Sequence, residues 1–90
     1  MALSPKAKQQ LKAKAHTLKP IVYIGINKFT ESVKKEIEQT LEDHELVKIR
    51  IQENDRTARF ALFDEICTAI EAEPIQFIGK VGVIYRKRKE

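Results

Sequence analysis

Apolar and polar positions change their period along the chain, and each change marks an element. Ala7, Leu11, Ala15 and Leu18 recur at helical spacing, Ser4 is placed to cap the first turn, and Pro5 suits the first helical position. Pro20 forces this helix to end by about Lys19. The β-branched and aromatic run Ile21–Ile24 then reads as a buried strand that meets a tight turn at Gly25. Thr30 is the natural cap of a second helix, in which Val33, Ile37 and Leu41 form the apolar stripe and His44 ends the pattern.

Beyond His44 the period falls to two. Val47, Ile49 and Ile51 alternate with Lys48, Arg50 and Gln52, which predicts a strand with one face in the core. The polar run Glu53-Asn54-Asp55 can cap a third helix carrying Phe60, Phe63, Ile66, Cys67 and Ile70 on its apolar side, with Pro74 expected to stop it. Residues 75–78 and Val81–Tyr85, separated by Gly79-Lys80, predict an antiparallel hairpin. The element order is therefore α-β-α-β-α-β-β, and the crossover helices call for at least one parallel strand pair. The expected architecture is a two-layer α/β domain spanning residues 1–90, with three helices on a mixed four-stranded sheet.

Ninety residues support one modest core and no second lobe, so a deep interdomain cleft is not expected. No apolar run approaches the ~20 residues that a bilayer-spanning helix needs. The N-terminus lacks the apolar stretch of a secretory signal, and the single cysteine excludes an internal disulfide. A cytoplasmic, monomeric protein is the expectation.

Charge adds the first functional hint. Residues 1–20 carry five lysines and no acid, residues 79–90 carry five bases against Glu90, and residues 21–78 hold seven bases against twelve acids. If the cationic ends lie together, they make one basic patch suited to a polyanion. Gly25 opening towards a helix start, where backbone N–H groups are unpaired and the dipole is positive, is a ready place for a phosphate.

The chemistry of catalysis is not visible. Cys67 falls on an apolar stripe and reads as a small buried hydrophobe, while His16 and His44 sit where a histidine caps a helix C-terminus. Metal-binding and nucleotide-hydrolysis motifs are missing from the sequence. We expect no catalytic residues, no metal, no cofactor, no membrane partner and no small-molecule substrate.

Several separated motifs resemble a known family in the right order along essentially the whole chain. They are Leu3-Ser4 with Lys6, Leu11-Lys12-Ala13 with Ala15-His16, Leu18-Lys19-Pro20-Ile21-Val22, Gly25 with Asn27, Thr30-Glu31, Ile78-Gly79-Lys80 and Tyr85-Arg86. Together they are similar to the stand-alone bacterial form of the CRM domain, the RNA-binding module of chloroplast RNA splicing and ribosome maturation proteins, often called the YhbY family. The resemblance implies a fold related to the C-terminal domain of bacterial translation initiation factor three, RNA as partner, and association with precursors of the large ribosomal subunit. The family's loop resembles Gly-x-x-Gly, in the manner of the KH loop that clamps a nucleic-acid backbone. Here Lys28 stands at the second glycine and Ser32 where a further glycine is common.

The expected RNA-binding residues are Gly25, Ile26, Asn27, Lys28, Thr30 and Lys34 around the loop. Lys6, Lys8, Lys12 and Lys14 of the first helix join them, with Lys80 of the hairpin and Arg86, Lys87 and Arg88 of the tail. The expected function is a ribosome-assembly factor that binds RNA through backbone and phosphates. The alternative from another class is a protein-interaction module whose basic surface docks an acidic or ribosomal protein.

Overall fold

The computed structural model describes residues 4–17, 21–25 and 29–87. Its elements are α1 (Pro5–Ala15), β1 (Ile21–Ile24), α2 (Glu31–His44), β2 (Leu46–Ile51), α3 (Arg56–Ile70), β3 (Glu73–Ile78) and β4 (Val81–Tyr85). The order and the type of every element match the expectation.

Each helix begins where a short polar side chain can satisfy a free backbone donor. Ser4 Oγ accepts from the Ala7 N–H at 3.1 Å, Thr30 Oγ1 from Val33 at 3.3 Å, and Asp55 Oδ2 from Ala58 at 2.8 Å. Such caps contribute about 1 kcal/mol each. The third helix ends differently from expectation: Glu71 takes a left-handed conformation (φ 59°, ψ 43°), and its N–H reaches the Cys67 and Thr68 carbonyls. Pro74 does not stop the helix but lies within β3, which is an edge strand and so tolerates a missing ladder donor.

The sheet order is β1-β2-β4-β3. β1 and β2 run parallel, joined by α2 as crossover, and β4 is antiparallel to both β2 and β3. Alternation along β2 sends Val47, Ile49 and Ile51 to one face, where they are fully buried with Val22, Ile24 and Ile84 beneath α2 and α3. Ile37 and Leu41 of α2 and Phe63, Ile66, Cys67 and Ile70 of α3 close this main core. Burying a side chain of this size stabilises by about 1.5–3 kcal/mol. Gly82 lies under the Phe63 ring, where a Cβ would collide, so this glycine makes room for packing rather than relieving the backbone.

A smaller cluster occupies the opposite face: Leu46, Ile75 and Val83 meet Ala15, with Leu11 and Tyr85 packed against them. Helix α1 thus forms a partial third layer behind the two-layer arrangement of sheet and α2/α3. Because α1 covers only one end of this face, β1 is not the wholly buried strand that its composition suggests. Val22 and Ile24 are buried, whereas Ile21 is 38% and Tyr23 62% exposed. Phe60 also departs from expectation. One turn ahead of Phe63, it lies past the rim of the core, 59% exposed, with its ring centroid 6.1 Å from that of Phe77.

Candidate nucleic-acid interface

The expected site residues fall into three places. The first is the sheet end where β1 and β2 finish. There the Gln52 N–H bonds the Ile24 carbonyl at 2.9 Å and the Ile51 N–H bonds the Lys80 carbonyl at 2.8 Å, so Gly25 and the Lys80 turn lie at the same end. Lys80 Nζ donates to Asn54 Oδ1 at 2.9 Å, which holds its ammonium beside the β2–α3 loop. Thr30 caps α2 and Lys34 lies in its first turn, Thr30 exposed and Lys34 half-buried. Gly25 is exposed and a Cβ there would meet nothing within 4 Å among the described residues, so internal packing does not demand a glycine. Ile26, Asn27 and Lys28 lie outside the described residues.

The second place is the half-open sheet face. Helix α1 contains Lys6, Lys8, Lys12 and Lys14 and no acid. Lys6, Lys12 and Lys14 are exposed, while Lys8 reaches Glu73 at 3.8 Å, a half-exposed pair that contributes at most about 1 kcal/mol. Lys12 and His16 of this helix border a recess of about 130 Å³ with Lys48, Gln76, Ile78 and Val81. Beyond it no described helix lies over the face. Strand register sets Ile21 beside Lys48, Tyr23 beside Arg50, Arg50 beside Val81 and Val81 beside Ile78.

The third place is the far end of β4. Five strand residues at about 3.3 Å each separate Lys80 from the tail, so Arg86 lies roughly 20 Å from the first place. Its side chain, 13% exposed, turns towards α2 and α3. The guanidinium donates to the Ile70 carbonyl at 2.9 Å and stands 3.7 Å from Glu38 and 3.6 Å from Glu42. Arg86 therefore ties β4 to both helices, and its charge is met inside the protein. Lys87 is exposed, and Arg88 lies outside the described residues.

Two further features bear on chemistry. Cys67 is buried and its thiol is pushed up to about 12, by burial first and then by the Asp64 and Glu73 carboxylates, which suits packing and not nucleophilic attack. A groove of about 630 Å³ runs between α3 and the hairpin, lined by Arg56, Thr57, Arg59, Phe60, Phe77 and Gly79. Arg59 in this groove donates to the Glu53 and Asn54 carbonyls at 2.9 and 3.2 Å. Among the described residues no group of His, Cys, Asp and Glu is placed to hold a metal ion. No described helix is long and apolar enough to cross a membrane.

The CRS1 / YhbY (CRM) domain model matches residues 3–86. The chain belongs to this family. It is 41% identical over 87 residues to a Pseudomonas aeruginosa protein named "Probable RNA-binding protein", covering 97% of this chain and 84% of that one. Identity is also 41%, over 88 residues, to a Haemophilus influenzae protein named "RNA-binding protein", covering 98% of this chain and 89% of its relative. The solution structure of a Staphylococcus aureus protein described as a candidate RNA-binding protein superposes with a TM-score of 0.84 at 36% identity, over 99% of this chain and 93% of that one.

In this CRM domain the sequence motifs pointed to the loop, α1 and the tail, and passed over the uncovered side of the sheet. Lys48 and Arg50 stand in the period-two pattern as the ordinary polar half of a strand, and Tyr23, one of the few aromatics available for stacking, falls in a run that reads as a buried strand. The signal available was the pairing of an aromatic in one short strand with bases in the next. It becomes specific only once the register sets Tyr23 against Arg50.

Proposed function

We propose that this CRM-family protein binds RNA, chiefly through backbone and phosphate contacts, and acts in the assembly of the large ribosomal subunit. The observation that carries the reading is the acid-free α1, whose Lys12 borders the half-open sheet face beside Lys48, with Lys6 and Lys14 exposed elsewhere on the same helix and Arg50 exposed on the next row of the sheet. Cations clustered on one face are the electrostatic footprint of a nucleic-acid partner. The names of the relatives support the same partner class. Gly25, where a Cβ would meet none of the described residues within 4 Å, and the Lys80 turn at the same sheet end leave room for an RNA backbone, to which Thr30 and Lys34 at the start of α2 add a hydroxyl and a cation. Arg86 is left out of this contact set because its charge is engaged by Glu38 and Glu42. On this reading the protein works as a monomer in the cytoplasm.

Affinity for purified RNA, measured against salt, tests the reading. Each phosphate neutralised contributes roughly 0.7–0.9 to the log–log slope, so the double variant Lys12→Gln/Lys14→Gln lowers the slope by roughly 1.5. Both lysines are exposed, so the unfolding midpoint stays in place. A protein that binds only when a ribosomal protein is supplied, with no affinity for RNA alone, would overturn the RNA reading in favour of a protein-docking surface. Crosslinking in cells followed by sequencing of the attached RNA tests the large-subunit assignment, which fails if the recovered RNA is not ribosomal.

A further inference from the structure

We propose that the uncovered side of the sheet is a second RNA contact that takes unpaired nucleotides, with one base stacked on Tyr23 and the strand's phosphates held by Arg50, Lys48 and Lys12. The inference rests on the RNA-binding reading and adds to it a substrate class, single-stranded RNA.

The geometry begins with the register. Across the sheet, Tyr23, Arg50, Val81 and Ile78 form one row of side chains on the same face, and Ile21, Lys48, Val83 and Gln76 form the next. Strands stand about 4.8 Å apart, so a row of four spans roughly 14 Å. Helix α1 buries Val83 in the second row, but the first row stays open, with Tyr23 62% and Ile78 66% exposed at its two ends. A single exposed apolar residue needs no explanation in a soluble protein. Here two large ones bracket an arginine on one flat surface.

Charge decides which partner fits. Neither row contains a carboxylate, and Lys12 and His16 of α1 border the same surface beside Lys48. Two acid-free rows that set an aromatic ring beside a guanidinium suit a polymer that is both anionic and rich in π-faces, and Glu73 in the adjoining row is met by Lys8. Nucleobases stack on aromatic rings regardless of their identity, and a planar guanidinium can stack or pair with phosphate. Four-stranded sheets in other RNA-binding folds present aromatics to unpaired bases in this way. A paired helix would keep its bases stacked inside and could not offer one to Tyr23. The groove at α3 is a weaker candidate, because Arg59 there is already committed to two backbone carbonyls and Asp55 caps the adjoining helix end.

The test compares a short oligoadenylate with a fully paired RNA duplex, using the wild-type protein, Tyr23→Ala and Tyr23→Phe. Loss of a stacked base is expected to weaken oligoadenylate binding roughly 5- to 150-fold in Tyr23→Ala, with the duplex affected less than about twofold, while Tyr23→Phe keeps the affinity. Tyr23 is mostly exposed, so the unfolding midpoint of each variant stays near wild type and separates binding from folding. If Tyr23→Ala leaves oligoadenylate binding unchanged, or weakens both RNAs equally, the sheet proposal is overturned while RNA binding stands. If the wild-type protein binds neither RNA, both readings fall together.

Discussion

The two faces of the one sheet have opposite characters, although the same strands build them. On the side of α2 and α3, Val22, Ile24, Val47, Ile49, Ile51 and Ile84 are at most 2% exposed, and among the described residues no charged one is buried with them. On the side of α1, a small cluster around Ala15 and Val83 gives way to Lys48, Arg50, Tyr23 and Ile78. Two helices of 14 and 15 residues can cover a four-stranded sheet, whereas one of 11 cannot. The difference teaches that one face holds the fold together while the other is left partly bare, and the proposed RNA contacts fall on the bare one.

The largest effect that would break this comparison comes from truncating the sealed side. Ile49→Ala is expected to lower stability by about 2–5 kcal/mol, because it leaves a cavity in a close-packed core. Lys48→Ala, one residue away on the other face, should stay within about 0.5 kcal/mol. Urea denaturation of the two variants measures this, and equal losses would mean that the faces are not divided in the way described.

A smaller effect sharpens the contrast between the two arginines. Arg86→Leu is expected to cost about 1–2 kcal/mol, more from the unpaired Ile70 carbonyl than from the half-exposed Glu38 and Glu42 pairs. Its RNA affinity should not change at a temperature where it is folded. Arg50→Leu should behave in the reverse way, keeping its unfolding midpoint and losing affinity. Were Arg86→Leu to lower the salt slope of binding, Arg86 would belong to the interface after all.

A last effect concerns pH and the sealed face alone. Below 9.0 the Cys67 thiol is neutral in both folded and unfolded chains; above it the unfolded chain ionises while burial holds the folded thiol protonated up to about 12. The unfolded state then binds fewer protons, so this group's contribution to stability is lost as pH rises through that window. Cys67→Ala should show a shallower decline of stability over the same range, measured as the difference in urea midpoints. An unchanged slope would place the decline on other groups.

Much of the fold was legible because its signals are local. Ser4, Thr30 and Asp55 cap helices where short polar side chains precede apolar periods, and Val47, Ile49 and Ile51 announce a face by alternation. Positions whose surroundings the pattern leaves open depend on what lies across from them. Phe60 keeps helical spacing with Phe63 yet falls beyond the core's rim, and Tyr23 shares a strand with two buried residues but looks out past the end of α1. Arg86 looked like part of a cationic tail, and alternation from Tyr85 turns it beneath α2 and α3 instead.

By itself, then, the sequence determined the elements, their order, the parallel pair that the α2 crossover demands, and the family. It also determined that cations gather in α1 and near the C-terminus. Only the tertiary structure decided which of those cations remain available and which surface they adjoin. The physical reason is that periodicity assigns a residue to one side of its own element, while strand order, register and helix coverage depend on contacts between residues far apart in the chain. Tyr23 and Arg50 lie 27 positions apart in sequence and become neighbours through the β1–β2 register alone.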